Sequence, residues 1–326
     1  MFSRPDPANP PYPAASSSSP WLAPLAGYSD LAFRMLCRHL GCAAAFTEMV
    51  SARGLIYRTR NTFELLETCP EDNPLVVQLY GNQPEIISQA VKILIDLGFF
   101  FFDLNCGCSV KKVTKTGSGA SLMKNPDLIA EIFAAMTRHT ESTNCGVKIR
   151  SGWNAREEEM YLQVAEKLTP LKPGWITLHP RTAVQLFSGE ADWSKLKRLK
   201  ASTSIPVVAS GDLFSAAKAL KCLKETGADN IMFARGALNN PAVFQQYLLM
   251  RENSPAPEFD VDFLKNLCLK IVYYYQKYCP ARKGLLKMRT VLPRIIREVP
   301  GARELRKSII VCTDWESIIR IIRSMS

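Results

Sequence analysis

From residue 21 to about 249, short apolar runs alternate with longer stretches whose apolar residues recur every three to four positions. The runs occupy 21–25, 43–47, 75–79, 99–104, 146–149, 175–178, 205–209 and 230–233. They read as strands buried on both faces, as in a parallel sheet. Amphipathic stretches at 30–40, 85–97, 126–137, 157–168, 193–199, 214–225 and 241–250 read as the intervening helices. Eight strand–helix units over about 230 residues have the period of a (β/α)8 TIM barrel. A doubly wound sheet would open with a glycine fingerprint after its first strand, and Pro24-Leu25-Ala26-Gly27 is not one.

After residue 250 the pattern changes. Asn253-Ser254-Pro255-Ala256-Pro257-Glu258 reads as a linker, and helical spacing follows throughout, as in Leu264, Leu267, Ile271 and Tyr274. Helices are expected over 261–278, over 284–298 with a break near Pro293, and over 302–310 and 314–324. The predicted organisation is a disordered tail at 1–20, a barrel at 21–250 and a small C-terminal all-α domain at 254–326. The first twenty residues are rich in proline and serine and lack the apolar core of a secretory signal. No apolar run reaches the length of a membrane span.

Charge alters the picture in the helical segment. The chain carries +11, and residues 251–326 hold 15 Lys and Arg against 8 Asp and Glu, so +7 of it lies there. Between 281 and 307 only Glu298 and Glu304 oppose nine basic residues. A solvated helix face accounts for part of this, but so few acids suggest a polyanionic partner, with nucleic acid first. The ten cysteines show no framework spacing; only Cys106 and Cys108 form a close pair, without further ligands for zinc. A reducing, cytoplasmic compartment is expected, and no metal.

Barrel chemistry belongs at the C-terminal ends of the strands. Those ends carry Pro24, Leu25 and Ala26, then Glu48, Gln78, Asn105 and Cys108, Lys148 and Arg150, and His179 and Arg181. Ser210-Gly211-Asp212 and Ala234-Arg235 follow the last two strands, where barrels bind phosphate. Taken alone, Gly211 fits a tight turn equally well. A lysine ending a buried strand suggests a ligand anion or an electron-rich ring near Lys148. Cys108 stands after Gly107, expected to bend the chain sharply, and before a basic loop with Gly117-Ser118-Gly119. It suits either a nucleophile of depressed pKa or a proton donor that keeps its hydrogen.

These residues occur in motifs: APLAG at 23–27, VVQLYG at 76–81, NCGC…GSGASLMKNP at 105–126, VKIRSGW at 147–153, HPRT at 179–182, SGD at 210–212 and ARGALNNP at 234–241. In order and spacing the chain resembles the tRNA-dihydrouridine synthases over nearly all of 21–326. The resemblance implies a flavin enzyme that reduces a uracil ring in tRNA. Cys108 then protonates C5 while reduced FMN gives hydride to C6, with NADPH as reductant. Pro24, Leu25 and Ala26 would line the flavin ring, and Gln78, Lys148 and His179 would bond it. Ser210, Gly211, Asp212, Ala234 and Arg235 would hold its phosphate, with Asn105 and Arg181 near the substrate base.

Three positions depart from the family pattern: Ser109 for proline, Ser210 for asparagine and Ala234 for glycine. The loop 111–121, with Lys111, Lys112 and Lys115, is expected to close over an extruded nucleotide. Monomer is the expected state. Two other readings compete: an FMN barrel enzyme acting on a free small molecule, as dihydroorotate-type dehydrogenases do, and a non-catalytic tRNA-binding protein. A small substrate has no need of a basic helical domain. A binding-only protein has no need of Cys108, Lys148, His179 and Arg235 together.

Overall fold

Nine parallel strands carry the fold: β1 (Trp21–Leu22), β2 (Ala44–Phe46), β3 (Val50–Ser51), β4 (Leu75–Tyr80), β5 (Phe101–Cys106), β6 (Cys145–Arg150), β7 (Trp175–His179), β8 (Val207–Ala209) and β9 (Asn230–Phe233). The computed structural model describes residues 19–255, 260–297 and 299–325, so most of the expected 1–20 tail lies outside the described residues. β1 pairs with both β2 and β9, and β2 with β4, so the sheet closes into an eight-stranded barrel. β3 resumes the line of β2 along β4. Ala45 stands opposite Leu75 but Val50 opposite Leu79, one extra residue on that side and hence a bulge. The bulge carries Glu48, whose carboxylate accepts the Gly27 N–H. Two short helices, Ala52–Ile56 and Arg60–Glu64, follow β3 where the sequence pattern indicated none.

Strand alternation decides what the barrel encloses. On β5, Phe102, Leu104 and Cys106 face the outer helices, while Phe101 packs inside with Trp21, Phe46, Val76 and Trp175. Trp21 and Trp175 meet edge to face at 5.4 Å and close the floor. Gly146 is required there, because an added Cβ would overlap the Trp175 ring. One residue pair further along each strand, the same inward face presents Gln78, Asp103, Lys148 and Thr177, then Asn105, Arg150 and His179. The polar site is thus set by the parity of the apolar floor beneath it.

The outer apolar core runs without a break into Leu264, Leu267, Ile271, Met288 and Ile318 of the C-terminal helices. Val261–Tyr278 packs on Leu31–His39, and Trp315–Arg323 packs back on Val261–Tyr278. The helix Ala281–Ile295 contains Pro293 without the expected break; the ring removes one backbone donor near the helix end, where little hydrogen bonding follows it. No helix among the described residues is long and apolar enough to cross a membrane.

Many of the basic side chains in this region are engaged inside the protein. Lys287 bonds Gly27 O and pairs with Asp30 at 3.0 Å, and Arg294 reaches the Tyr28 hydroxyl at 2.7 Å. Arg289 and Arg306 bond the carbonyls of Cys312 and Ile296. Among the described residues, Arg282, Arg297 and Arg303 stay exposed without such a partner. Lys287 and Arg294 instead fasten the helical segment to the loop between β1 and its helix.

Candidate active site

A cavity of about 330 Å³ opens at the C-terminal ends of the strands. Of the residues expected to form the site, Pro24, Leu25, Ala26, Asn105, Cys108, Lys148, His179, Ser210, Gly211, Asp212, Ala234 and Arg235 line it. Gln78 and Arg181 do not. Gln78 is fully buried one layer below, its amide bonded to Asp103 and Asn105. Arg181 is 2% exposed and lies behind the wall, held by Asp212, His179, Ser188 O and Gly189 O. Both thus stand outside the cavity lining and are hydrogen-bonded to neighbours; the Gln78 amide keeps one further donor and one further acceptor site.

The Cys108 loop is fixed at four backbone groups. Asn105 Oδ1 accepts from Gly107 N (3.2 Å) and Cys108 N (2.9 Å), Arg150 Nε donates to Gly107 O (2.8 Å), and Ala120 N donates to Cys108 O (2.8 Å). The sharp bend expected of Gly107 is instead organised by the Asn105 side chain. Gly107 is not left-handed, and a Cβ there would meet nothing nearer than 3.6 Å. Gly119 is the constrained glycine: φ is +64°, and a Cβ would press within 2.6 Å of Cys108 O. Segment 117–120 of the loop expected to close is thus packed under the cysteine, with Ser118 2% exposed, while Lys111, Lys112 and Lys115 are exposed.

Electrostatics keep the Cys108 thiol protonated. Burial pushes it up, and the Val110 N–H and the Arg150 guanidinium oppose that only in part. Burial likewise lowers Lys148 to about 8, against the nearby Asp103. Burial, then the surrounding Arg150, Lys148, Arg181 and Arg235, holds His179 neutral. Arg181 can only donate, so its 3.2 Å contact makes His179 Nε2 an acceptor and leaves the proton on Nδ1.

The far wall is arranged for an anion. Asp212 accepts both Arg181 amino groups (2.9 and 2.7 Å) and Arg235 Nη2 (3.0 Å), so one carboxylate faces two guanidiniums and positive charge remains. The Ser210 amide is engaged with Leu178 O. The amides of Gly211 and Asp212 have no acceptor among the described residues. The Arg235 guanidinium lies over the rings of Phe187 (4.3 Å) and Phe214 (5.0 Å). Arg150, placed at a strand end by the sequence but given no role there, lines the cavity too, as do Phe187 and Phe214, which the sequence did not single out. For Arg150 the signal was its place two residues beyond Lys148, on the same face of β6.

Three comparisons bear on this geometry. The family model described as Dihydrouridine synthase (Dus) matches residues 21–319. A probable tRNA-dihydrouridine synthase of Aquifex aeolicus is 32% identical over 302 residues, covering 92% of this chain and 93% of that one. tRNA-dihydrouridine synthase B of Pseudomonas aeruginosa is 33% identical over 291 residues, covering 87% and 86%. Among solved structures, the old yellow enzyme homologue of Zymomonas mobilis superposes with a TM-score of 0.50 at 10% identity over 79% of this chain and 96% of that one. The structure of TcOYE with pHBA gives 0.53 at 10% identity over 80% and 95%. At such identity these two speak for the barrel fold alone.

Proposed function

The chain belongs to the dihydrouridine synthase family, and on that footing we propose that it is a tRNA-dihydrouridine synthase with FMN as cofactor, NADPH as reductant and Cys108 as proton donor. The observation that supports this reading is a cysteine on a loop bonded at four backbone groups, at the edge of a cavity lined by Lys148, Arg150 and Arg235. The residues present fit the cofactor. Arg235 and the amides of Gly211 and Asp212 suit a phosphate, Pro24, Leu25 and Ala26 offer an apolar wall for a ring, and Lys148 and His179 offer polar contacts to its edge. Bound reduced flavin supplies hydride for C6 of the uracil. Cys108 gives its proton to C5, and Arg150 beside it stabilises the thiolate left behind. Asn105, with its amide oxygen engaged by the loop, keeps the sulfur at a constant position. A target base inside folded RNA must be drawn out to reach this depth. The exposed Arg282, Arg297 and Arg303 are positioned on the helical segment to meet phosphates, which ties affinity to salt concentration.

Flavin retention tests the cavity directly. Arg235→Ala removes the guanidinium and its charge from the phosphate wall, and the bound flavin per protein after desalting should fall at least about tenfold, the order of one charge-assisted hydrogen bond. Arg303→Ala, outside the cavity lining, should retain flavin as the parent chain does. Equal retention in Arg235→Ala would remove the phosphate assignment.

A further inference from the structure

Asp103 is fully buried, lies below the cavity and touches none of it, yet it anchors a chain of side chains that ends at Cys108. Its Oδ1 accepts Trp175 Nε1 at 2.9 Å and its Oδ2 accepts Gln78 Nε2 at 2.6 Å. Gln78 Oε1 accepts Asn105 Nδ2 at 2.7 Å, and Asn105 Oδ1 accepts the amides of Gly107 and Cys108. The two ends fix the direction of every bond between them. A carboxylate only accepts, so the Gln78 nitrogen must face it and the Gln78 oxygen must face Asn105. The backbone N–H groups at the other end only donate, so the Asn105 oxygen must face them, which again turns its nitrogen to Gln78. Both ends demand the same orientation.

We propose that Asp103 is a positioning residue for the Cys108 loop, acting by setting the donor–acceptor direction of the Gln78–Asn105 relay. The role in turnover rests on Cys108 being the proton donor; the relay itself does not. Reversing polarity at Asp103 reverses every link. In Asp103→Asn, the new amide keeps its oxygen on Trp175 and turns its nitrogen to Gln78. Gln78 must then flip, Asn105 flips after it, and an NH2 group meets the two loop amides. Gln78→Glu alone places two carboxylates face to face. The double variant Asp103→Asn with Gln78→Glu restores the order. Its relocated carboxylate accepts from the introduced amide on one side and from Asn105 on the other. It also keeps one negative charge near Lys148, whose field Asp103 feels now.

Hydrogen exchange by mass spectrometry on the purified full chain reads the relay at the Gly107 and Cys108 amides. Asp103→Asn and Gln78→Glu should each speed exchange there about tenfold, the loss expected for a hydrogen bond of ordinary strength. The double variant should return to within about twofold of the parent, a non-additive rescue that simple core disruption does not produce. Trp175→Phe removes the other donor to Asp103 without reversing polarity, and should leave these amides within about twofold. Gln78→Met, similar in shape and unable to relay, should reproduce the loss even where Asp103→Asn cannot be purified. Unchanged exchange in Asp103→Asn or Gln78→Met, additive damage in the double variant, or an equal effect of Trp175→Phe would overturn the proposal. These rates need no turnover, so a failed relay and a failed assignment of Cys108 give different results.

Discussion

Cys108→Ala should reduce uridine reduction by about 10²–10⁴-fold while leaving flavin retention and tRNA binding near parental values, the range for losing a positioned general acid. The reasoning starts from the loop: its backbone bonds come from Asn105, Arg150 and Ala120 and none uses the thiol, so alanine leaves the geometry standing. The pH profile separates the two chemistries open to a cysteine. A donor must keep its proton, and burial raises this thiol, so activity should hold through neutral pH and decline only above the ordinary thiol range. A nucleophile would instead gain activity as the thiol ionised. Single-turnover oxidation of reduced, tRNA-loaded enzyme checks both. Parental rates in Cys108→Ala would remove the donor assignment.

The largest expected loss of stability lies away from the site. Asp72 is 1% exposed and pairs with Arg34 at 2.8 Å and Arg38 at 2.7 Å; Arg34 also bonds Ser29 O and Glu67 O. These bonds tie the helix Leu31–His39, on which the C-terminal helices rest, to the segment leading into β4. Asp72→Asn leaves two buried guanidiniums without their counter-charge, which costs about 3–5 kcal/mol. At about 2 °C per kcal/mol for a chain of this size, the melting midpoint should fall by roughly 6–10 °C. Burial pushes the Asp72 carboxyl up, but the two arginines outweigh it and its pKa is lowered. A carboxylate depressed in the folded state contributes fully above the unfolded pKa near ~3.9 and is lost as pH falls through its folded value. The gap between variant and parent should therefore be constant at neutral pH and shrink in acid. A variant that melts with the parent at pH 7 would contradict this reading.

The barrel was legible because its strands are short apolar runs at a regular period, and closure follows from that period. The polar ring was legible at strand ends, where a barrel's core does not require Lys148 or His179. Asp103 was harder: inside a run of phenylalanines it reads as core, although alternation from Phe101 already places it inward beside Asn105. That Gln78 and Arg181 stand outside the cavity lining was not legible, because sequence gives the strand end but not the layer. Phe187 and Phe214 sit on loops and meet at Arg235, which is distant from both in the chain. Glycine spacing cannot distinguish a hinge from a close approach, and so Gly119 looked mobile where Cys108 O packs against it. The basic count overstated the side chains left free for a partner, since Lys287, Arg289, Arg294 and Arg306 bond within the protein.

The most direct measurement is to incubate the purified, flavin-loaded protein with NADPH and tRNA lacking dihydrouridine, then weigh the nucleosides. The expected result is uridine gaining the mass of two hydrogens in the parent protein and not in Cys108→Ala. Consumption of NADPH with no gain in the RNA would contradict the function and point to a small-molecule reductase on the same barrel.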